Sequence, residues 1–197
     1  MKNTKKLITM VCALALTAAI AIGGTLAYLT AETKTVTNTF TVGKIEATLD
    51  ETDADNSTAD KDRDTENSYK IIPGDQLVKD PTVHVLEGSE KCWVYVCIND
   101  ELNAAVAGSA KYTVENGWTL VNGTKNIYKY NNVVDASEKQ QDLVVFNGVT
   151  IDGAVVTEDN IDDLDEKTIV VNAYLHQADN LGDSVNVDAL AVAHFTA

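Results

Sequence analysis

Three histidines, two mature-chain cysteines and one alternating acidic run are the residues of this 197-residue chain that could do chemistry. A zinc peptidase helix sets two histidines four residues apart with a glutamate after the first, so that both rings reach one ion. His84, His176 and His194 are followed by Val, Gln and Phe, and none has a histidine four residues away. Scattered histidines of this kind read as structural or surface residues. No Gly-x-Ser-x-Gly elbow and no phosphate loop ending Gly-Lys-Ser/Thr occurs. Cys92 and Cys97 enclose the strand-like run Trp93-Val94-Tyr95-Val96. Five residues of extended chain hold their Cα atoms roughly 16 Å apart and turn the side chains to opposite faces. A disulfide needs them within about 7 Å, so two buried free thiols are expected. They also lack the electropositive surroundings that activate a thiolate. No catalytic residue is expected.

Asp60, Asp62 and Asp64 alternate like the first ligands of an EF-hand loop, but Thr65 stands where that loop needs glycine. Ile71 stands where it needs a bidentate glutamate. The EF-hand reading fails. Weak calcium association with Asp60, Asp62 and Asp64 is the one metal expectation, and no other cofactor is called for.

The elements that must position these residues are mostly short strands. Residues 33–49 alternate, with Val36, Phe40 and Val42 on one face and Ile45 one step out of phase; Gly43 marks a bulge between two strand segments. Residues 50–68 are acidic and polar and read as a flexible, solvated loop. Strands then follow around Pro73-Gly74-Asp75, Val83-His84-Val85 and residues 91–99. Residues 117–121 and 126–130 read as a hairpin-like pair, 143–146 and 149–151 as two more strands, and 168–176 as a strong alternating strand. Residues 100–110 read as a short helix or covering loop. Asp183 and Ser184 are placed to cap a last helix carrying Val187, Leu190, Ala191 and Phe195. Many short strands with one or two short helices describe an antiparallel β-sandwich, with no alternation of strand and helix to signal a parallel sheet.

The first 27 residues stand apart. Lys2, Lys5 and Lys6 precede an apolar run over residues 7–22, and Gly23-Gly24-Thr25-Leu26-Ala27 ends in a small-x-small site. This is a secretory signal peptide, forming a signal helix over 1–27 and cleaved between Ala27 and Tyr28. Residues 7–26 are also long enough to span a bilayer, so an uncleaved anchor is the rival reading. Residues 28–197 are expected to form a single β-sandwich domain, of which 28–49 is the N-terminal strand segment. They keep 12 of the 15 basic residues and all 30 acidic ones, a formal charge of −18. Such acidity argues against nucleic acid and anionic lipid as partners. Membrane contact is expected only through an uncleaved signal.

The same residues carry a family resemblance. Gly23-Gly24-Thr25-Leu26-Ala27-Tyr28 resembles the junction cut by signal peptidases of the SipW type. Asn38-Thr39-Phe40-Thr41-Val42-Gly43-Lys44-Ile45 is similar to the strand that follows it in TasA and camelysin proteins. Pro73-Gly74-Asp75-Gln76-Leu77-Val78-Lys79 resembles the Pro-Gly-Asp motif of that family. Trp118, Tyr128, Tyr130 and the run Ala173-Tyr174-Leu175-His176 resemble a clostridial-type branch of it. The resemblance implies a jelly-roll-like sandwich, secreted to the cell surface or biofilm matrix of a Gram-positive bacterium. It also implies a SipW-type signal peptidase as partner, and self-association or contact with other matrix proteins.

Fibres of TasA-like proteins form when the mature N-terminal segment adds a strand to the next subunit, and extended chain can do this by main-chain hydrogen bonds. Val36, Phe40, Val42 and Ile45 are the strand-donation candidates, although the same strand could fold into its own domain. The leading expectation is a non-enzymatic structural protein. The alternatives are a surface binding module using loops such as 100–111, and a camelysin-like metallopeptidase, which the missing zinc motif opposes.

Overall fold

Alternating β-branched and aromatic residues build the longest strands, and these organise the rest. The computed structural model describes residues 43–57, 62–182 and 184–197. Its strands are β1 (Ala47–Thr52), β2 (Arg63–Asp64), β3 (Gln76–Leu77), β4 (Thr82–Val85), β5 (Cys92–Asp100), β6 (Ala110–Lys111), β7 (Trp118–Leu120), β8 (Ile127–Tyr130), β9 (Gln141–Val144), β10 (Val149–Ile151) and β11 (Ile169–Gln177). Helix α1 (Glu101–Ala105), a 3-10 turn (Ile161–Leu164) and helix α2 (Val187–Thr196) complete them. Three sheets run in the orders β2-β1-β4-β9, β3-β10-β6 and β11-β5-β8-β7. Every strand pairing is antiparallel. The described residues form an all-β sandwich with two short helices, as one compact unit.

Strand β5 shows how period-2 alternation divides the interior. Cys92, Val94, Val96 and Ile98 join Val83, Val85, Leu143, Val149 and Ile151 in the main core. Tyr95 and Cys97 face the other way and pack with Val187 and Ala191 of α2. The helix therefore covers the outer face of the β11-β5-β8-β7 sheet. Both cysteines are buried and free, on opposite faces as the spacing requires. Burial pushes the Cys92 thiol up to about 11 and the Cys97 thiol above its ordinary value. Iodoacetamide should label neither thiol in the native protein and both in denaturant; rapid native labelling would contradict this packing.

The Pro-Gly-Asp turn has a direct physical reading. Asp75 N–H donates to Ile72 O at 3.0 Å, and Gly74 has φ of 93°. Proline at the second position and a positive-φ glycine at the third define a type II turn. Gly74 N–H donates to Ile151 O, and Ile151 N–H to Asp75 O, both at 2.9 Å. The motif thus docks on the start of the β3-β10-β6 sheet.

Three expectations are corrected. Residues 50–68 are not one flexible loop: 50–52 complete β1, and β2 pairs with it through Glu51↔Asp64 and Thr52↔Arg63. Glu51 and Asp53 are buried. Gly43 lies outside any strand, and β1 begins only at Ala47. The cap of α2 is Asn186, whose side chain accepts from Ala189 N–H; it sits one residue before the helix, closer than Ser184. The signal helix, the cleavage site at Ala27 and Tyr28, and Val36, Phe40 and Val42 lie outside the described residues. No helix among the described residues is long and apolar enough to cross a membrane.

Candidate functional site

The polar chemistry concentrates on and around β1, whose two faces carry different networks. Leu49 packs on the core while Asp50 faces outward, so Glu51 returns to the inner side and Thr52 to the outer. On the outer face, His84 of β4 lies between carboxylates from both neighbouring strands. Its Nδ1 is 2.6 Å from Asp142 Oδ1 on β9 and its Nε2 is 3.0 Å from Asp50 Oδ1 on β1. Arg63 of β2 donates through Nε to Asp50 and through Nη1 to Asp80 at 3.2 Å. Thr52 binds Asp80 with its backbone N–H at 2.7 Å and its hydroxyl at 2.9 Å. One chain of charges links all four strands of this sheet.

The titration of this network follows from its geometry. Burial works against a charged His84, but the hydrogen bonds it donates to Asp142 and Asp50 outweigh it and raise the imidazole above its ordinary value. The bond to His84, then that to Gln140, holds Asp142 below the usual carboxylate range. A raised histidine stabilises the fold fully below about pH 6.5 and loses that contribution as pH rises through the folded value. The depressed carboxylate stabilises above about pH 4 and loses its contribution as pH falls. Thermal midpoints should therefore be higher near pH 6 than near pH 8. His84→Gln should flatten that slope and cost about 1 kcal/mol, since Asp142 is largely exposed. An unchanged slope in that variant would remove His84 as its cause.

At the inner end, Glu51 is 6 % exposed. Its Oε2 accepts from Lys79 Nζ at 2.7 Å and its Oε1 from Asn67 Nδ2 at 3.1 Å. Beside it, Asp53, Asp55 and Asp64 bring carboxylate oxygens within 4.8 Å of one another. Of the three aspartates singled out from the sequence, Asp64 lies in this cluster, Asp62 is not among its members, and Asp60 lies outside the described residues. The loop's own donors already occupy the cluster. Ser57 N–H binds both Asp53 and Asp55, its hydroxyl binds Asp64 at 2.7 Å, and Ser68 N–H binds Asp55 at 2.7 Å. The Ser68 bond, then the Ser57 hydroxyl, lowers the Asp55 carboxyl.

The histidines do not converge. His84 faces outward on the β2-β1-β4-β9 sheet, whereas His176 and His194 both lie against Tyr174 on the other sheet, His194 stacked at 4.6 Å. Asn103 ties residues 100–110 together, and 110–111 pair with β10. Asn103 donates to Asp100 at 2.6 Å and to Ala110 O at 2.8 Å, and accepts from Gly108 and Ala110 N–H.

Strand β11 forms one edge of its sheet. Among the described residues β5 is its only strand partner, over nine matched positions. Glu101 N–H donates to Thr168 O and Ala178 N–H to Lys91 O, which fixes the alternation. Residues 170, 172, 174 and 176 direct their backbone groups to β5. Ile169, Val171, Ala173, Leu175 and Gln177 direct theirs to the open edge. At its Gln177 end, a shallow groove is lined by Gly43, Lys44, Ile45, Glu90 and Asn180. Ile45 packs on the main core. Comparison with protein-family models, with curated proteins and with solved structures finds no match for this chain.

The sequence reading missed the partners of His84 and the Glu51 group. The available signal was parity: Leu49, Glu51 and Asp53 are i, i+2 and i+4 on one strand face, so an apolar side led into two acids.

Proposed function

We propose that this is a secreted, non-enzymatic structural protein of the cell surface or biofilm matrix, which assembles when one copy donates its N-terminal strand to the next. The observation that supports the reading is the edge of β11, which carries no second strand among the described residues. A nine-residue edge with Val170, Val171 and Leu175, and without proline or lysine, lacks the devices that normally blunt sheet edges. Such an edge offers main-chain hydrogen bonds to an extended partner. Residues 28–42 supply the partner, with Val36, Phe40 and Val42 as the side chains that would alternate along it. Ile45 stays with the core of its own copy. A head-to-tail contact whose rotation does not close grows into a filament.

Export follows from the signal peptide, with a SipW-type peptidase freeing Tyr28. The non-enzymatic reading is supported by His84, which is committed to two carboxylates, and by thiols that are buried and raised. The 100–110 segment that Asn103 ties together supports assembly over the adhesin alternative. Electron microscopy and sedimentation of the secreted protein should show filaments beginning at Tyr28 by N-terminal sequencing. The same protein lacking residues 28–42 should remain folded and monomeric; filaments of ordinary length from that deletion would overturn strand donation.

A further inference from the structure

The Glu51 carboxylate holds the Lys79 amine on one oxygen and the Asn67 amide on the other, and we propose that Lys79 and Asn67 join there in an intramolecular isopeptide bond. The amine and the amide sit on the two oxygens of one buried carboxylate, Lys79 at 2.7 Å and Asn67 at 3.1 Å. The amide orientation is fixed by its remaining bonds. Asn67 Oδ1 accepts from Ala54 N–H at 2.6 Å, while Nδ2 also donates to Thr52 O at 3.0 Å. The carbonyl oxygen therefore faces a backbone donor where negative charge would develop, and the leaving nitrogen faces the acid.

The lysine is unusual in this chain. Its side chain is 14 % exposed, the least of the ion-paired lysines among the described residues; Lys111, paired with Asp152, is 64 % exposed. The Tyr69 ring lies over it, with Nζ 5.8 Å from the ring centre, and the Tyr69 hydroxyl is anchored on Val78 O at 2.7 Å.

The step balances without a further reagent. Lys79 passes one proton to Glu51, and the freed lone pair attacks Asn67 Cγ. The carbonyl electrons move to Oδ1, which the Ala54 N–H stabilises. Glu51 delivers its proton to Nδ2 and accepts another from the new C–N nitrogen. The Cγ–Nδ2 bond breaks, ammonia leaves, and the last proton departs with it as ammonium, returning Glu51 to carboxylate. Holding the reactants on one carboxylate supplies the proximity that makes a slow aminolysis intramolecular.

Intact mass spectrometry of the purified, folded full-length secreted protein tests this. The expected mass is lighter by one ammonia, with a tryptic pair cross-linked through Asn67 and Lys79. Glu51→Gln, Lys79→Arg and Asn67→Ala should each restore the full calculated mass. A wild-type protein that shows a cooperative thermal transition and the full mass would overturn the proposal. Loss of ammonia with Lys79 free would also overturn it, because that is the mark of a succinimide at Asn67-Ser68.

Discussion

Ala173→Pro should abolish filament formation while leaving a folded monomer. Alanine 173 sits in the middle of β11, and its N–H points to the open edge rather than to β5, by the alternation that Glu101 N–H and Ala178 N–H set. Proline removes that single donor and inserts a ring where an added strand would run. The ladder to β5 keeps all of its own donors, so the cost to the monomer should be modest, about 1 kcal/mol from the preferred φ of proline. Asn172→Pro is the informative control. Its N–H points inward to β5, so this variant should lose stability first and assembly only as a consequence. Sedimentation, electron microscopy and thermal denaturation separate the two. Normal filaments from Ala173→Pro with a wild-type midpoint would exclude β11 as the acceptor edge.

How much of this was legible depends on whether a residue's partner is near in sequence. Strands β5 and β11 announce themselves because every second residue is apolar over seven positions, Cys92 to Ile98 and Ile169 to Leu175, and the opposite-face placement of the two cysteines follows from their spacing. The type II turn at Pro73-Gly74 is equally local. Residues 50–68 misled because acidity was read as solvation. Asp50 meets His84, 34 positions on, and Glu51 meets Lys79, 28 positions on. Only the fold brings those partners within reach, and once it does the charges are compensated rather than solvated. The cap of α2 was misplaced by less: Asn186 outcompetes Ser184 because it alone reaches the Ala189 N–H. The acceptor edge could not be read at all, since edge position is a property of strand order.

Glu51→Ala should be the most damaging single change in the polar end of the sandwich. It removes the acceptor of the Lys79 ammonium, and because it also blocks the proposed Lys79–Asn67 bond, the ion-pair loss is read in the Asn67→Ala background, where Lys79 stays an ammonium. Breaking a buried pair from one side strands the surviving charge, and the expected loss is about 3 kcal/mol. For a domain of this size that lowers the thermal midpoint by on the order of 10 °C. Lys79 can recover part of this by swinging toward water, because its side chain retains 14 % exposure. The double variant Glu51→Leu, Lys79→Met should recover more, since it replaces a desolvated pair by apolar packing next to Leu49. A double-mutant cycle on the two positions measures the coupling directly. A single-variant loss within about 0.5 kcal/mol of zero would mean that Glu51 is solvated in the native protein. That result would also remove the dry carboxylate on which the proton transfers between Lys79 and Asn67 depend.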